Sequence, residues 1–156
     1  MRKWVVISAI IVALDVYTKH LIQLVFSYGE HFTVTGFFDL VRYHNEGAAF
    51  SFLANAGGWQ KWFFTAITAI AVVVISYLLS KHHQDKLFST GLALVLCGAI
   101  GNLYDRLTLG YVVDFLYFHI DDLYWPAFNV ADSAICVGVG ILLLDSFRKE
   151  KLAAKK

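Results

Sequence analysis

The sequence predicts an all-α membrane protein in which four transmembrane helices carry a small extracytoplasmic β-sheet and an interfacial amphipathic helix. Three observations lead there. Hydrophobic residues make up 58% of the 156-residue chain and charged residues 16%, whereas an ordinary soluble domain carries about a quarter charged residues. Four stretches, residues 4–26, 62–79, 87–104 and 127–144, are long and apolar enough to cross a bilayer, since about 20 apolar residues cover about 30 Å of hydrocarbon. Lysine and arginine are sorted between the connecting segments in a way that fixes one orientation. A single Pro and the lack of repeats or low-complexity tracts give no sign of a linker, so residues 1–156 are read as a single membrane-embedded domain. A net charge of +1 gives no reason to expect nucleic acid or another polyanion as partner.

The first stretch begins with Arg2 and Lys3 before apolar residues 4–14, which imitates the start of a cleavable leader. Asp15 stands where a small-residue processing site would be expected. The apolar pattern then resumes through Leu21, Ile22, Leu24, Val25 and Phe26, so the segment is expected to remain as the first membrane helix. Residues 31–43 mix β-branched and aromatic side chains around Gly36 and predict a short hairpin. Residues 48–62, with Phe50, Phe52, Leu53, Trp59 and Trp62, are expected to lie in the interface as an amphipathic helix, and Gly57-Gly58 beside them points to a loop free to move. The second and third spans contain no charged side chain. Residues 111–119, YVVDFLYFH, have strand character and would carry Asp114 on or beside the sheet.

Orientation follows from the cations. Arg2, Lys3, Lys81, Lys86, Arg148, Lys149, Lys151, Lys155 and Lys156 fall on one side, while the opposite loops hold Arg42 and Lys61 among several carboxylates. Both termini are therefore expected in the cytoplasm, with Asp114 and Asp132 both at the outer face.

Those two aspartates are the main chemical signal. A carboxylate near hydrocarbon costs about 2.5–3.5 kcal/mol at a helix centre, so it marks a candidate functional site. Two held close cannot both ionise easily and share a proton, the condition for one to accept a proton from water while the other donates to a carbonyl oxygen. The competing reading pairs Asp114 with a cation and uses Asp132 to cap the fourth helix. Asp132 lies inside an apolar run rather than clearly before one, which favours chemistry. Asn102 and Arg106 stand at i, i+4 and would share a helix face towards the carboxylates. Asp105 beside Arg106 reads better as structural, the two neutralising each other at a helix end. Asp15 and Lys19, also at i, i+4, read first as an ion pair within the first helix, able to brace the site. Asn45 and Gly47, followed by small Ala48 and Ala49, suit either an Asx-turn or a place where a substrate backbone is held.

Other chemistries find little support. The six His residues show no metal-ligand spacing, so neither metal nor cofactor is expected. Cys97 and Cys136 fall inside membrane segments and are expected as small buried side chains. There is no Ser-nucleophile or phosphate-loop signature.

Four groups of residues, in order along nearly the whole chain, carry a resemblance. They are Asp15-x-x-x-Lys19, Asn45-x-Gly47-Ala48-Ala49-Phe50-Ser51, Gly101-Asn102-x-x-Asp105-Arg106 continuing to Val113-Asp114-Phe115, and Phe128-Asn129-x-Ala131-Asp132. With them the chain resembles the lipoprotein signal peptidase (signal peptidase II) family of the bacterial inner membrane. Val16 and Cys97 depart from residues common in that family. The resemblance implies an aspartic endopeptidase that cuts diacylglyceryl-modified prolipoproteins just before the lipid-bearing Cys, with Asp114 and Asp132 as the catalytic pair. It implies a structural Asp105 and a supporting shell of Asp15, Lys19, Asn45, Gly47, Asn102, Arg106 and Asn129. The expected partners are the lipidated precursor and membrane lipid, and the chain is expected to act as a monomer. Two rivals remain: a small proton-coupled transporter, which would need ionisable groups spread through the membrane depth, and an assembly subunit packed through small residues such as Gly138 and Gly140.

Overall fold

Eight elements follow one another in the computed structural model, which describes residues 2–47, 59–121 and 123–154: α1 (Arg2–Val25), β1 (His31–Thr35), β2 (Phe38–Asn45), α2 (Trp59–His82), α3 (Lys86–Thr108), β3 (Val112–Ile120), β4 (Leu123–Tyr124) and α4 (Val130–Ala153). All four helices are long and apolar enough to span a membrane. Most of the interfacial helix expected over residues 48–62, and the Gly57-Gly58 loop, lie outside the described residues; Trp59 and Trp62 belong to the first turn of α2.

The bundle is organised around α3, which packs against α1, α2 and α4 and buries Leu92, Ala93, Leu96, Cys97 and Ala99 among its apolar residues. The other three turn apolar side chains outward, including Ile10 and Leu14 of α1, Ile70 and Val73 of α2, and Leu143 and Leu144 of α4. A soluble bundle would put such a surface inside, whereas a bilayer rewards it outside. Cys97 is buried as expected, but Cys136 is exposed on the outer surface of α4, an apolar position facing away from its neighbours. Gly138 is used within the chain, since a Cβ there would meet the Gly91 carbonyl and Val95 of α3 at 2.8 Å; Gly140 faces open space.

One end of the bundle is stitched by polar contacts between helix termini. Trp4 Nε1 donates to the His83 carbonyl at 3.2 Å, and Lys149 bridges Asp85, the N-cap of α3, at 2.6 Å and Asp145 at 2.5 Å. The other end carries the sheet, antiparallel in the order β1-β2-β3-β4, with α2 and α3 lying between β2 and β3 in the chain. Its central register sets Leu40 opposite Leu116 and Tyr43 opposite Asp114, so Val41 and Arg42 together oppose Phe115 in a β-bulge. A small core of Ile22, Val113 and Phe115, with Phe26, Leu40, Leu116 and Val130 around it, joins the sheet to α1 and α4.

The fourth helix begins later and ends later than the 127–144 expected. Residues 127–129 are extended because Phe128 pairs with Leu116, through N–H to carbonyl bonds of 2.8 and 3.0 Å in the two directions. Asn129 then caps the helix, its side chain accepting from Asp132 N at 2.9 Å while the Asp132 carboxylate accepts from Asn129 N at 3.2 Å. That reciprocal arrangement satisfies donors that a helix start leaves free. At the far end the Asp145–Lys149 pair lies within the helix, which continues to Ala153.

Candidate active site

Asp114 and Asp132 arrive at the sheet end from different elements. Asp114 stands on β3, which is pinned on both sides: Val113 N donates to the Asp105 carboxylate at 3.1 Å, and Phe115 N and Leu116 N donate to the Phe128 carbonyl at 3.0 and 2.8 Å. Asp132 stands in the first turn of α4, fixed by the capping box. Capping and placement beside Asp114 are therefore compatible: one carboxylate oxygen of Asp132 closes the cap while the other, Oδ1, accepts from Asn102 Nδ2 at 2.7 Å.

Two amides connect the carboxylates. Asn129 is fully buried, and its Nδ2 donates to Asp114 Oδ1 at 2.7 Å, with longer contacts to the Val113 carbonyl at 3.3 Å and Asn102 Oδ1 at 3.4 Å. Asn102 donates to Asp132, so the chain of contacts runs Asp114, Asn129, Asn102, Asp132. Asn45 approaches from β2, its Nδ2 reaching Asp114 Oδ2 at 3.0 Å while its Oδ1 accepts from Gly47 N at 3.1 Å. The Asx-turn reading of Asn45 is realised through the oxygen, which leaves the amide nitrogen free to donate to Asp114. Arg106 Nη2 donates to the Gly47 carbonyl at 3.2 Å and Nη1 to the Asn102 carbonyl at 3.4 Å.

Behind this layer lies Lys19, 1% exposed, whose Nζ meets Asp15 at 2.8 Å, Asp105 at 3.2 Å and Asn102 Oδ1 at 3.0 Å. The expected Asp15–Lys19 pair exists, but it is not confined to α1. Asp15 also accepts from Ala131 N at 2.8 Å in the first turn of α4, where the helix dipole favours a carboxylate. Gly101 makes this approach possible, since a Cβ there would collide with the Asp15 carboxylate. Asp105 pairs with Lys19 and not with the adjacent Arg106 that the sequence suggested. Neighbouring helix residues point about 100° apart, so the two face different elements.

Burial pushes the Asp114 pKa up to about 7, with the nearby Asp132 charge acting in the same direction and the Asn45 and Asn129 amides opposing both. The structure thus brings together all ten residues singled out in the sequence, through side chain or, for Gly47, backbone. Sequence reasoning passed over Arg42, whose Nη1 donates to the carbonyls of Phe26 at 2.8 Å and Gln23 at 3.3 Å. The available signal was an arginine on the cation-poor side of the chain.

A bundle of four helices long and apolar enough to span a membrane, with amide-held carboxylates at one end, belongs to the class of membrane proteins with a candidate acid–base site. The chain belongs to the signal peptidase (SPase) II family, whose model matches residues 7–148. It is 53% identical over 149 residues to the lipoprotein signal peptidase of Paraburkholderia phytofirmans, covering 96% of this chain and 87% of that one. To the lipoprotein signal peptidase of Ralstonia nicotianae it is 52% identical over 146 residues, covering 94% and 84%. Among solved structures, a bacterial membrane enzyme determined by the in meso method at 2.3 Å superposes with a TM-score of 0.87 at 28% identity, over 96% of this chain and 90% of that one. A second, at 1.9 Å, superposes with a TM-score of 0.81 at 29% identity, over 93% and 92%. The protein is accordingly a multi-pass membrane peptidase of this family.

Proposed function

We propose that the chain is an aspartic endopeptidase that removes signal peptides from diacylglyceryl-modified prolipoproteins, cutting before the lipid-bearing Cys, with Asp114 and Asp132 as the catalytic pair. The observation that carries this reading is the amide chain from Asp114 through Asn129 and Asn102 to Asp132, which grips both carboxylates with uncharged donors. Family membership and the named relatives support the substrate class.

The chemistry follows from a shared proton. The ionised carboxylate takes a proton from a water as that water attacks the scissile carbonyl, and the protonated partner donates to the carbonyl oxygen. The resulting gem-diol collapses as a proton passes to the departing amine, with no covalent enzyme intermediate. Asn45, Gly47 and Arg106 border Asp114 and offer polar groups that would hold the substrate backbone. The lipid tails of the precursor would remain among membrane lipid while the scissile bond meets the sheet end. Orientation is proposed from the cations: the end stitched by Trp4, Asp85 and Lys149 would be cytoplasmic with both termini, and the site would face outward from the bacterial inner membrane. We propose a monomer, since the residues that grip both carboxylates come from one chain. A transporter would need ionisable groups at successive depths, yet Asp15 and Lys19 join the same end as Asp132.

The test is cleavage of a diacylglyceryl-modified prolipoprotein, beside its unlipidated precursor, by the purified chain and by Asp114→Asn and Asp132→Asn variants that fold equally well. Cleavage of the lipidated form alone, lost in both variants, is the expected result. Retained cleavage in either variant would remove that aspartate from the pair.

A further inference from the structure

The two carboxylates belong to different bodies, Asp114 to the sheet and Asp132 to the helix bundle, so their separation depends on how firmly the sheet is fixed to the helices. β1–β2 pairing and β2–β3 pairing hold the sheet together internally but do not set its position on the bundle. Arg42 does both. It is one of the two bulged residues of β2, and its Nη1 donates to the Phe26 and Gln23 carbonyls at the end of α1. Its backbone closes on the same connection, with Gly29 N donating to the Arg42 carbonyl at 2.9 Å and Arg42 N to the Glu30 carbonyl at 3.2 Å.

α1 has no basic residue in its own last turn, so its terminal carbonyls lack a cation from within the helix. A guanidinium from the sheet supplies both the missing donors and a charge of the favourable sign. Among the described residues no carboxylate forms an ion pair with Arg42, so its charge is directed at the helix end. The bulge is what turns it there, since an extra residue in one strand re-aims a side chain. Three residues further along β2, Asn45 touches Asp114, and on α1 the other anchor, Asp15, holds the first turn of α4 that carries Asp132.

From this geometry we infer that Arg42 is a positioning residue that tunes the separation of Asp114 and Asp132 by strapping the bulged strand β2, which carries Asn45 against Asp114, to the end of α1. The inference rests on the proposed peptidase reading for its consequence in catalysis, but the strap itself is measurable without activity. Misplacement of reacting groups by about 1 Å costs up to about 100-fold in rate. Arg42→Met, which keeps an apolar stem and removes every donor, is expected to lower kcat roughly 10–100-fold, leaving KM near the parent value because the lipid-bearing substrate still partitions into the same membrane. Arg42→Lys, which restores a cationic donor, is expected to recover part of the loss.

The second measurement is the distance distribution between spin labels on Cys136 of α4 and on a Thr33→Cys position in β1, in a Cys97→Ala background. A shifted or broadened distribution in Arg42→Met, partly restored in Arg42→Lys, supports the strap; a distribution like the parent's overturns it whatever the activity. Parent-like kcat in Arg42→Met, or a rise in KM alone, overturns the positioning role. If Arg42→Met does not fold, Arg42→Gln is read by the same two criteria. A parent that cleaves nothing while the distances shift would sink the peptidase reading and leave the strap standing.

Discussion

Lys19→Met is the perturbation with the largest expected effect on stability. Met retains most of the volume, so the change isolates one ammonium that is 1% exposed and contacts Asp15, Asp105 and Asn102 at 2.8, 3.2 and 3.0 Å. Its removal leaves two buried carboxylates with neutral donors only. Asp15 keeps Ala131 N and the dipole of α4, and Asp105 keeps Val113 N. A helix terminus offsets up to about 2 kcal/mol for a partly buried charge, whereas breaking a buried ion pair by removing one partner costs about 3–5 kcal/mol. With two carboxylates orphaned and one compensated by a helix end, the loss should fall within about 3–5 kcal/mol, a large share of the roughly 5–15 kcal/mol that holds a domain together. Reversible unfolding in mixed micelles measures it. Adding Asp105→Asn to Lys19→Met should return part of the loss, giving a coupling energy of about 0.5–3 kcal/mol in a double-mutant cycle. A Lys19→Met variant within about 0.5 kcal/mol of the parent, or strictly additive effects, would refute the claim that this ammonium neutralises both carboxylates.

Asn129 supports two separate predictions in one side chain, because its oxygen caps α4 and its nitrogen donates to Asp114. Asn129→Ser keeps a capping oxygen and loses the amide donor without adding a charge, so it should hold α4 while cutting cleavage by at least about tenfold; Asn129→Ala should additionally cost about 0.5–2 kcal/mol in the same micelle assay. The raised Asp114 pKa sets a pH dependence. Between the ordinary value of 3.8 and about 7 the folded chain holds a proton on this group that the unfolded chain has released, so stability should fall as pH rises through that window and level off above it. The Asp114 contribution to the slope should be missing in Asp114→Asn, seen as the difference between the two profiles, and cleavage should decline on the alkaline side as the pair loses its shared proton near pH 7. Parallel stability profiles of the parent and Asp114→Asn from pH 4 to 7 would contradict the burial of this carboxyl.

The elements legible in the sequence are those whose burial repeats along the chain. Residues 62–79 and 87–104 are apolar on all sides because one helix faces lipid and the other faces helices, and both environments select the same residues. The hairpin around Gly36 and the strand through Asp114 were readable from β-branched and aromatic runs. The start of α4 was not, because the apolar pattern passes from Ala127 into the helix without a break, and only the Asn129-x-x-Asp132 spacing records that the chain turns helical there. The site was legible as a set of residues but not as a set of partners. Sequence adjacency suggested Asp105 with Arg106, whereas helical geometry directs Asp105 to Lys19 and Arg106 to the Gly47 carbonyl. Arg42 was visible only as an exception to the sorting of charges, since nothing local says that a strand residue will close a helix end.

The order of charges around the carboxylates carries a physical consequence. An Arg or Lys within about 4–6 Å lowers a carboxylate pKa by about 1–3 units, which would hold an aspartate ionised and unable to donate a proton at neutral pH. Here the first contacts of Asp114 are the amides of Asn45 and Asn129, and that of Asp132 Oδ1 is the amide of Asn102. Lys19 acts on the far end of Asn102, where its ammonium fixes the amide oxygen and so turns the nitrogen towards Asp132. Lys19 thus sets orientation through Asn102, and although its charge also pulls the Asp114 pKa down, desolvation and the Asp132 charge outweigh it and keep Asp114 near 7. A site that placed Lys19 directly on Asp114 would hold that carboxylate ionised and remove the proton that its proposed role as general acid needs.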